Sequence, residues 1–266
     1  MGSQRFLIST LILFLSISSV VSAENKSFDG FYTSILLGYS NGRVNDGDFK
    51  YTSHCALYGC GFVDEDIPQY NLNAYDKNKN QFDGLAGNLK LGYNKRFDNH
   101  LLGIELGGAL QDLKTNGEVA KFTDHPDNNW QPLLTETKVQ TYETLAIRLG
   151  HIFENNTLIY VYGGGAIGQV KRNIKSNRPE DYFEYMRGGT SISDNKNSLG
   201  YLFGAGLEYK LTEHLAVRAN YEYVDFGKVR FNVDTQQTGE ALFDLTFNQS
   251  NSIHFSNLSA GVSYAF

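Results

Sequence analysis

Apolar and polar residues alternate with a period of two over eight stretches of the chain, about residues 30–40, 84–97, 100–112, 138–153, 157–171, 197–210, 214–227 and 253–266. A period of two sends successive side chains to opposite faces of a β-strand, so the pattern predicts eight strands with one apolar face each. The joins are of two kinds. DNH (98–100), ENN (154–156) and TEH (212–214) are short, whereas the other four joins are polar stretches of about 25 to 40 residues. Short and long joins alternate along the whole chain.

A soluble sandwich has no reason to sort its loops strictly by end. An outer-membrane barrel does, with short periplasmic turns and long surface loops. Parity then assigns the faces. In the sixth segment Leu199, Tyr201, Phe203, Ala205, Leu207 and Tyr209 share one face, and Gly200, Leu202, Gly204, Gly206 and Glu208 the other. In the seventh, Leu215, Val217, Ala219, Tyr221 and Tyr223 oppose Ala216, Arg218, Asn220 and Glu222. Hydrocarbon tolerates no open sheet edge, so the apolar faces point to lipid and the small or charged faces point inward. The expected fold is all-β: an eight-stranded antiparallel up-and-down transmembrane β-barrel with four long surface loops.

Composition agrees. Gly 27, Tyr 17 and Phe 18 against Pro 4, Met 2 and Trp 1 is a β-rich bias. The formal net charge of -6 leaves no basic footprint for nucleic acid. The first residues carry Arg5, an apolar run from Phe6 to Val21 broken by Ser9, Thr10, Ser16, Ser18 and Ser19, and the small-residue pattern Val21-Ser22-Ala23. This reads as a signal peptide over residues 1–23, with cleavage after Ala23 and a single barrel domain over 24–266. An uncleaved anchor is the rival reading.

Extending parity to the other strands places Lys90, Glu105 and Arg148 inward, with Glu208, Arg218 and Glu222. Eight strands leave an interior only wide enough for side chains, where an isolated charge is costly. Three cations against three anions therefore suggest an ionic plug in preference to a proton or ion path.

On the last segment Leu258, Ala260, Val262, Tyr264 and Phe266 form the lipid face, and Asn257, Ser259, Gly261, Ser263 and Ala265 the inner one. Val262, Tyr264 and the final Phe266 resemble the signal by which bacterial outer-membrane barrels are received by the barrel-assembly machinery. The signal peptide, DGFYTSILLGYS, HLAVRANYEYVDFG and LSAGVSYAF together resemble the small porin-like surface proteins of Gram-negative bacteria, of the opacity and major outer-membrane-protein type. The resemblance implies the outer membrane as location, with lipid and lipopolysaccharide as surroundings. It says less about activity, because that family includes adhesins, haem-binding proteins and envelope-stabilising proteins.

Cys55 and Cys60, in HCALYGC of the first surface loop, are expected to form a local disulfide in an oxidising envelope. A zinc pair is the alternative, but only His54 lies beside them where four ligands are usual, and no metal is predicted. Asp46 and Asp48, and Asp64, Glu65 and Asp66, lack the spacing of a calcium loop and read as solvated charge. Haem ligation through His54 or His125 is conceivable from the resemblance alone; no cofactor is expected. HFSN, His254 to Asn257, looks like the His-x-Ser-Asn motif of the outer-membrane lipid A deacylases. No acidic residue follows it, and Asp225 on the seventh strand is the one candidate to orient the histidine.

The leading expectation is a non-enzymatic surface barrel whose loops meet a host or extracellular ligand while the barrel anchors them and helps the envelope cohere. A narrow diffusion pore is the second reading, and a lipid A deacylase the third.

Overall fold

A computed structural model describes residues 28–55, 81–120, 133–153, 156–176, 191–234 and 243–266. Eight strands make up almost all of it: β1 (Gly30–Cys55), β2 (Gln81–Phe97), β3 (His100–Ala120), β4 (Leu133–Phe153), β5 (Thr157–Ser176), β6 (Ser191–Lys210), β7 (Leu215–Asp234) and β8 (Phe243–Ala265). Each pairs antiparallel with its neighbour in sequence, and β8 pairs with β1 to close the barrel. Closure removes the two open edges that eight strands in a row would otherwise leave. The seam is in unbroken register from Tyr32 opposite Ala265 to Asp46 opposite Asn251, and the Phe266 amide donates to the Phe31 carbonyl at 3.0 Å.

Most strands run well beyond the stretches that alternation marks out. β1 continues past residue 40 to Cys55, β3 past 112 to Ala120, and β8 begins at Phe243 instead of 253. The long joins shrink accordingly, leaving residues 56–80, 121–132, 177–190 and 235–242 between described strand ends. Bulges explain part of the shortfall. The ladder slips between Asp46 and Phe49, between Leu110 and Leu113, between Val139 and Thr141, and between Asp225 and Lys228. On β4 and β7 the extra residue moves the following side chains to the opposite face, whereas β3 keeps its odd positions buried on both sides of the slip. On β4 the buried positions are odd up to Val139 and even from Tyr142; on β7 they are even up to Phe226 and odd from Val229. Gly227 carries the β7 bulge with φ at 60°, a conformation glycine adopts without cost, and its amide donates to Asp225 at 2.7 Å.

The outside is apolar. Leu37, Leu85, Leu110, Leu199 and Leu258 are all at least 65% exposed, and Phe31, Phe97, Phe153, Tyr209, Tyr264 and Phe266 form an aromatic girdle at the turn end. The segment 1–23, Cys60, Asp64, Glu65, Asp66 and His125 lie outside the described residues, and Cys55 is the last residue of β1.

Candidate functional site

The lumen is filled in layers. At the turn end Phe28, Leu101, Ile152, Leu158 and Ala216 are buried. Beside them an internal space of about 20 Å³ is lined by Phe28, Tyr32, Asn94, Glu208 and Ser263 among others. That is room for a water molecule and too little for a solute.

Above it lies the charged layer. Lys90, Glu105, Arg148, Glu208, Arg218 and Glu222 come from β2, β3, β4, β6 and β7, and each is at most 4% exposed. Arg218 donates to Glu105 at 2.6 Å, and Lys90 lies 2.8 Å from Glu222 and 3.3 Å from Glu105. Arg148 donates to Glu208. The carboxylates accept further bonds, some on the same oxygen as the cation and some on the other. Tyr32 donates to Glu105 at 2.6 Å, Tyr142 and Tyr162 to Glu222 at 2.9 and 3.1 Å, and Ser263 to Glu208 at 2.7 Å. Two serines complete a chain between the pairs. Arg218 donates to Ser34, and because the one proton of Ser263 goes to Glu208, the Ser34 hydroxyl must donate to Ser263. A buried charge is tolerable only when paired and hydrogen-bonded, and these carboxylates meet both conditions.

Aromatic rings hold the cations from the side. The Arg148 guanidinium lies 3.5 Å from the centre of the Tyr160 ring, and Lys90 lies 4.8 Å from that of Tyr162. These tyrosines fit because glycine stands opposite them on the next strand: Tyr32 against Gly92, Tyr160 against Gly206, Tyr162 against Gly204. A methyl group at any of the three glycines would overlap the facing ring.

Towards the loop end Asn257 donates to Ser40 at 2.7 Å, and Ser40 to Gln111 at 3.2 Å. Phe82, Tyr142, Phe226 and Phe255 then pack ring to ring, with centroids 5.3 to 6.3 Å from that of Phe255. Val44, Leu113, Val139, Val170, Phe231 and Ile253 are buried with them in one cluster. Alternation points Tyr142 and Phe255 inward, but Phe231 and Val229 follow a bulge and have the opposite parity from the rest of their strand. Small and charged residues are therefore only part of the lining.

The outer-face motif is laid out differently from a catalytic relay. Strand register does set Asp225 opposite His254. The Asp225 carboxylate, however, accepts from the Tyr201 hydroxyl at 3.0 Å and from the Gly227 amide. Ser256 bonds the Tyr221 hydroxyl at 2.9 Å, and the His254 ring leans on Tyr223. Among the described residues the three groups thus have separate partners: the serine bonds a tyrosine hydroxyl in place of a base, and the carboxylate bonds a tyrosine and a backbone amide in place of the histidine.

Three comparisons bear on these features. A family model described as "Outer membrane protein beta-barrel domain" matches residues 10–266. The chain is 26% identical over 253 residues to a 31 kDa outer-membrane immunogenic protein of Brucella melitensis, covering 94% of this chain and 89% of the relative. It is 24% identical over 168 residues to a 22 kDa outer membrane protein of Rhizobium leguminosarum, covering 62% of this chain and 64% of the relative. Among solved structures it is similar to OprG of Pseudomonas aeruginosa, with TM-score 0.48 and 15% identity over 92% of this chain and 99% of that one. It is also similar to Neisserial surface protein A, with TM-score 0.43 and 13% identity over 90% and 98% of the two chains.

Proposed function

Since the chain belongs to the outer membrane protein β-barrel domain family and is an outer-membrane protein, we propose that it is a non-enzymatic surface barrel whose four loop-end connections make its contacts. The observation that carries this reading is the packed lumen. Paired charges fill its periplasmic half, and the ring of Phe82, Tyr142, Phe226 and Phe255 lies above them. A solute would have to separate buried ion pairs and a packed aromatic layer to cross, which argues against a pore. The separate engagement of His254, Ser256 and Asp225 argues against an enzyme on the outer wall. With wall and lumen given to anchoring, interaction falls to the connections at the surface end. The Brucella relative is named as an outer-membrane immunogenic protein, which is in keeping with a surface presented to a host.

The test is a barrel with the segments 56–80, 121–132, 177–190 and 235–242 replaced by short Gly/Ser turns, produced in a non-adherent bacterium. Cells producing the unaltered protein should adhere to host-cell monolayers, and trimming should return adherence to background with the folded barrel still present in the outer membrane. Equal adherence of the trimmed and unaltered proteins, or none with the unaltered one, would overturn the reading.

A further inference from the structure

A barrel strand rises about 3.3 Å per residue along its own axis, and a tilt of about 40° leaves about 2.5 Å of that along the membrane normal. An apolar band about 25 Å tall therefore takes about ten residues of each strand. Counted upward from Phe31, Leu215 and Phe266 at the periplasmic end, the band closes near Asn41 on β1, Asp225 on β7 and Ser256 on β8. Tyr39, Tyr201, Tyr221 and Tyr223 mark that edge as an upper girdle.

The outward positions just above it form a basic surface. They are Arg43 on β1, His254 on β8 and, past the bulge, Lys228 and Arg230 on β7. The ladder sets them side by side: Arg43 faces His254, Lys228 faces Ser252 and Arg230 faces Ser250. Arg43, Lys228 and Arg230 are exposed, and none of them enters an ion pair among the described residues. The outward lysines of β3 and β4 are arranged otherwise. Lys114 is held by Asp112 at 3.0 Å and Lys138 by Glu136 at 2.7 Å, each two residues away on its own strand. Among the described residues two carboxylates border the basic surface: Asp225, whose two oxygens already accept from Tyr201 and Gly227, and Asp83, opposite Asn41 on β2, which accepts from the Tyr39 hydroxyl. A net positive charge thus faces outward at the level of the outer-leaflet headgroups.

We infer that this face of β7, β8 and β1 docks the phosphorylated headgroup of an outer-leaflet glycolipid. Height and direction identify the occupant: an outward side chain just above the apolar band of a membrane barrel meets a lipid headgroup, and three cations with no ion pair among the described residues call for phosphate. Two arginines supply planar forks suited to phosphate oxygens, and Asn41, Asn45 and Ser252 add neutral donors on the same face. The inference is independent of whatever the surface loops bind.

The experiment uses the refolded protein in neutral detergent micelles, titrated with bis-phosphorylated lipid A and with the same lipid A stripped of phosphate. The unaltered protein should bind the phosphorylated form, and the triple variant R43Q/K228Q/R230Q should bind it at least tenfold more weakly, since each basic residue at an anionic surface contributes about fivefold. K114Q, which removes a lysine already paired on the opposite wall, should bind as the unaltered protein does. All three substituted side chains are exposed, and heat-modifiable migration checks that the barrel has formed. Should the triple variant misfold, R43Q and R230Q alone decide, each expected to weaken binding several-fold. Equal affinity for the two lipids, unchanged binding by the variants, or an equal loss with K114Q would overturn the assignment. So would wild-type self-association that the triple variant lacks without any preference for phosphate, which would give the face to a second copy of the chain.

Discussion

Replacing Arg148 with leucine should destabilise the barrel by about 3–5 kcal/mol, the range for breaking one side of a buried ion pair. Arg148 has no exposed surface, and its hydrogen bond to a carboxylate is the one to Glu208. Its Nε and Nη1 have no hydrogen-bond partner among the described residues, and the guanidinium carbon lies 3.5 Å from the centre of the Tyr160 ring. Removing it leaves Glu208 with the Ser263 hydroxyl as its remaining hydrogen-bond donor. Removing Glu208 as well takes away the stranded charge, so R148L/E208L should lose clearly less than the sum of the two single losses. Urea unfolding of barrels refolded in lipid vesicles measures all four corners of the cycle. Additive losses would mean that the pair is not coupled and that the layer is not an ionic plug.

Gly206→Ala should cost about 2–3 kcal/mol, the upper part of the range for overpacking a tight interior. The new methyl group would overlap both the Tyr160 ring and the Asn220 side chain. Neither is free to move aside. The Tyr160 hydroxyl donates to Asn220, its ring face is covered by Arg148, and Asn220 also accepts from Arg218 at 3.2 Å. Gly163→Ala is the matched control: its methyl group would have the Leu202 carbonyl oxygen as nearest neighbour, at an ordinary 3.5 Å. The same unfolding measurement should find that change nearly neutral. Combining G206A with Y160L should recover part of the loss, because the smaller side chain vacates the space. If G206A and G163A behave alike, glycine opposite tyrosine is not what shapes the lumen.

These two sites also show where sequence reading succeeds and where it stops. Strict alternation over 197–210 and 214–227 suffices to separate Glu208, Arg218 and Glu222 from the lipid-facing Leu207, Val217 and Tyr221, because a strand offers only two directions. It cannot supply partners. Lys90 meets Glu222 from five strands further along the chain, and Arg148 meets Glu208 from two strands away, so both contacts depend on closure, register and side-chain reach across the lumen. Parity is also blind beyond a bulge. Gln140 and Gly227 each stand where the alternation reverses, and the visible pattern fades close to these points although the strands continue. The inward Val139, Val229 and Phe231, which extend the apolar layer, lie on the far side of those reversals. The outer basic surface was hidden for the same reason: Lys228 and Arg230 follow the β7 bulge, and their direction is set by Gly227 and not by the period of the preceding strand.

A lumen closed by its own side chains should pass no ions, and conductance tests that most directly. The unaltered barrel, refolded and shown by heat-modifiable migration to be native, should leave a planar lipid bilayer silent. Steady, stepwise ion currents from the same protein would show that the charged layer lines a path, and would contradict the plugged anchor in favour of a pore.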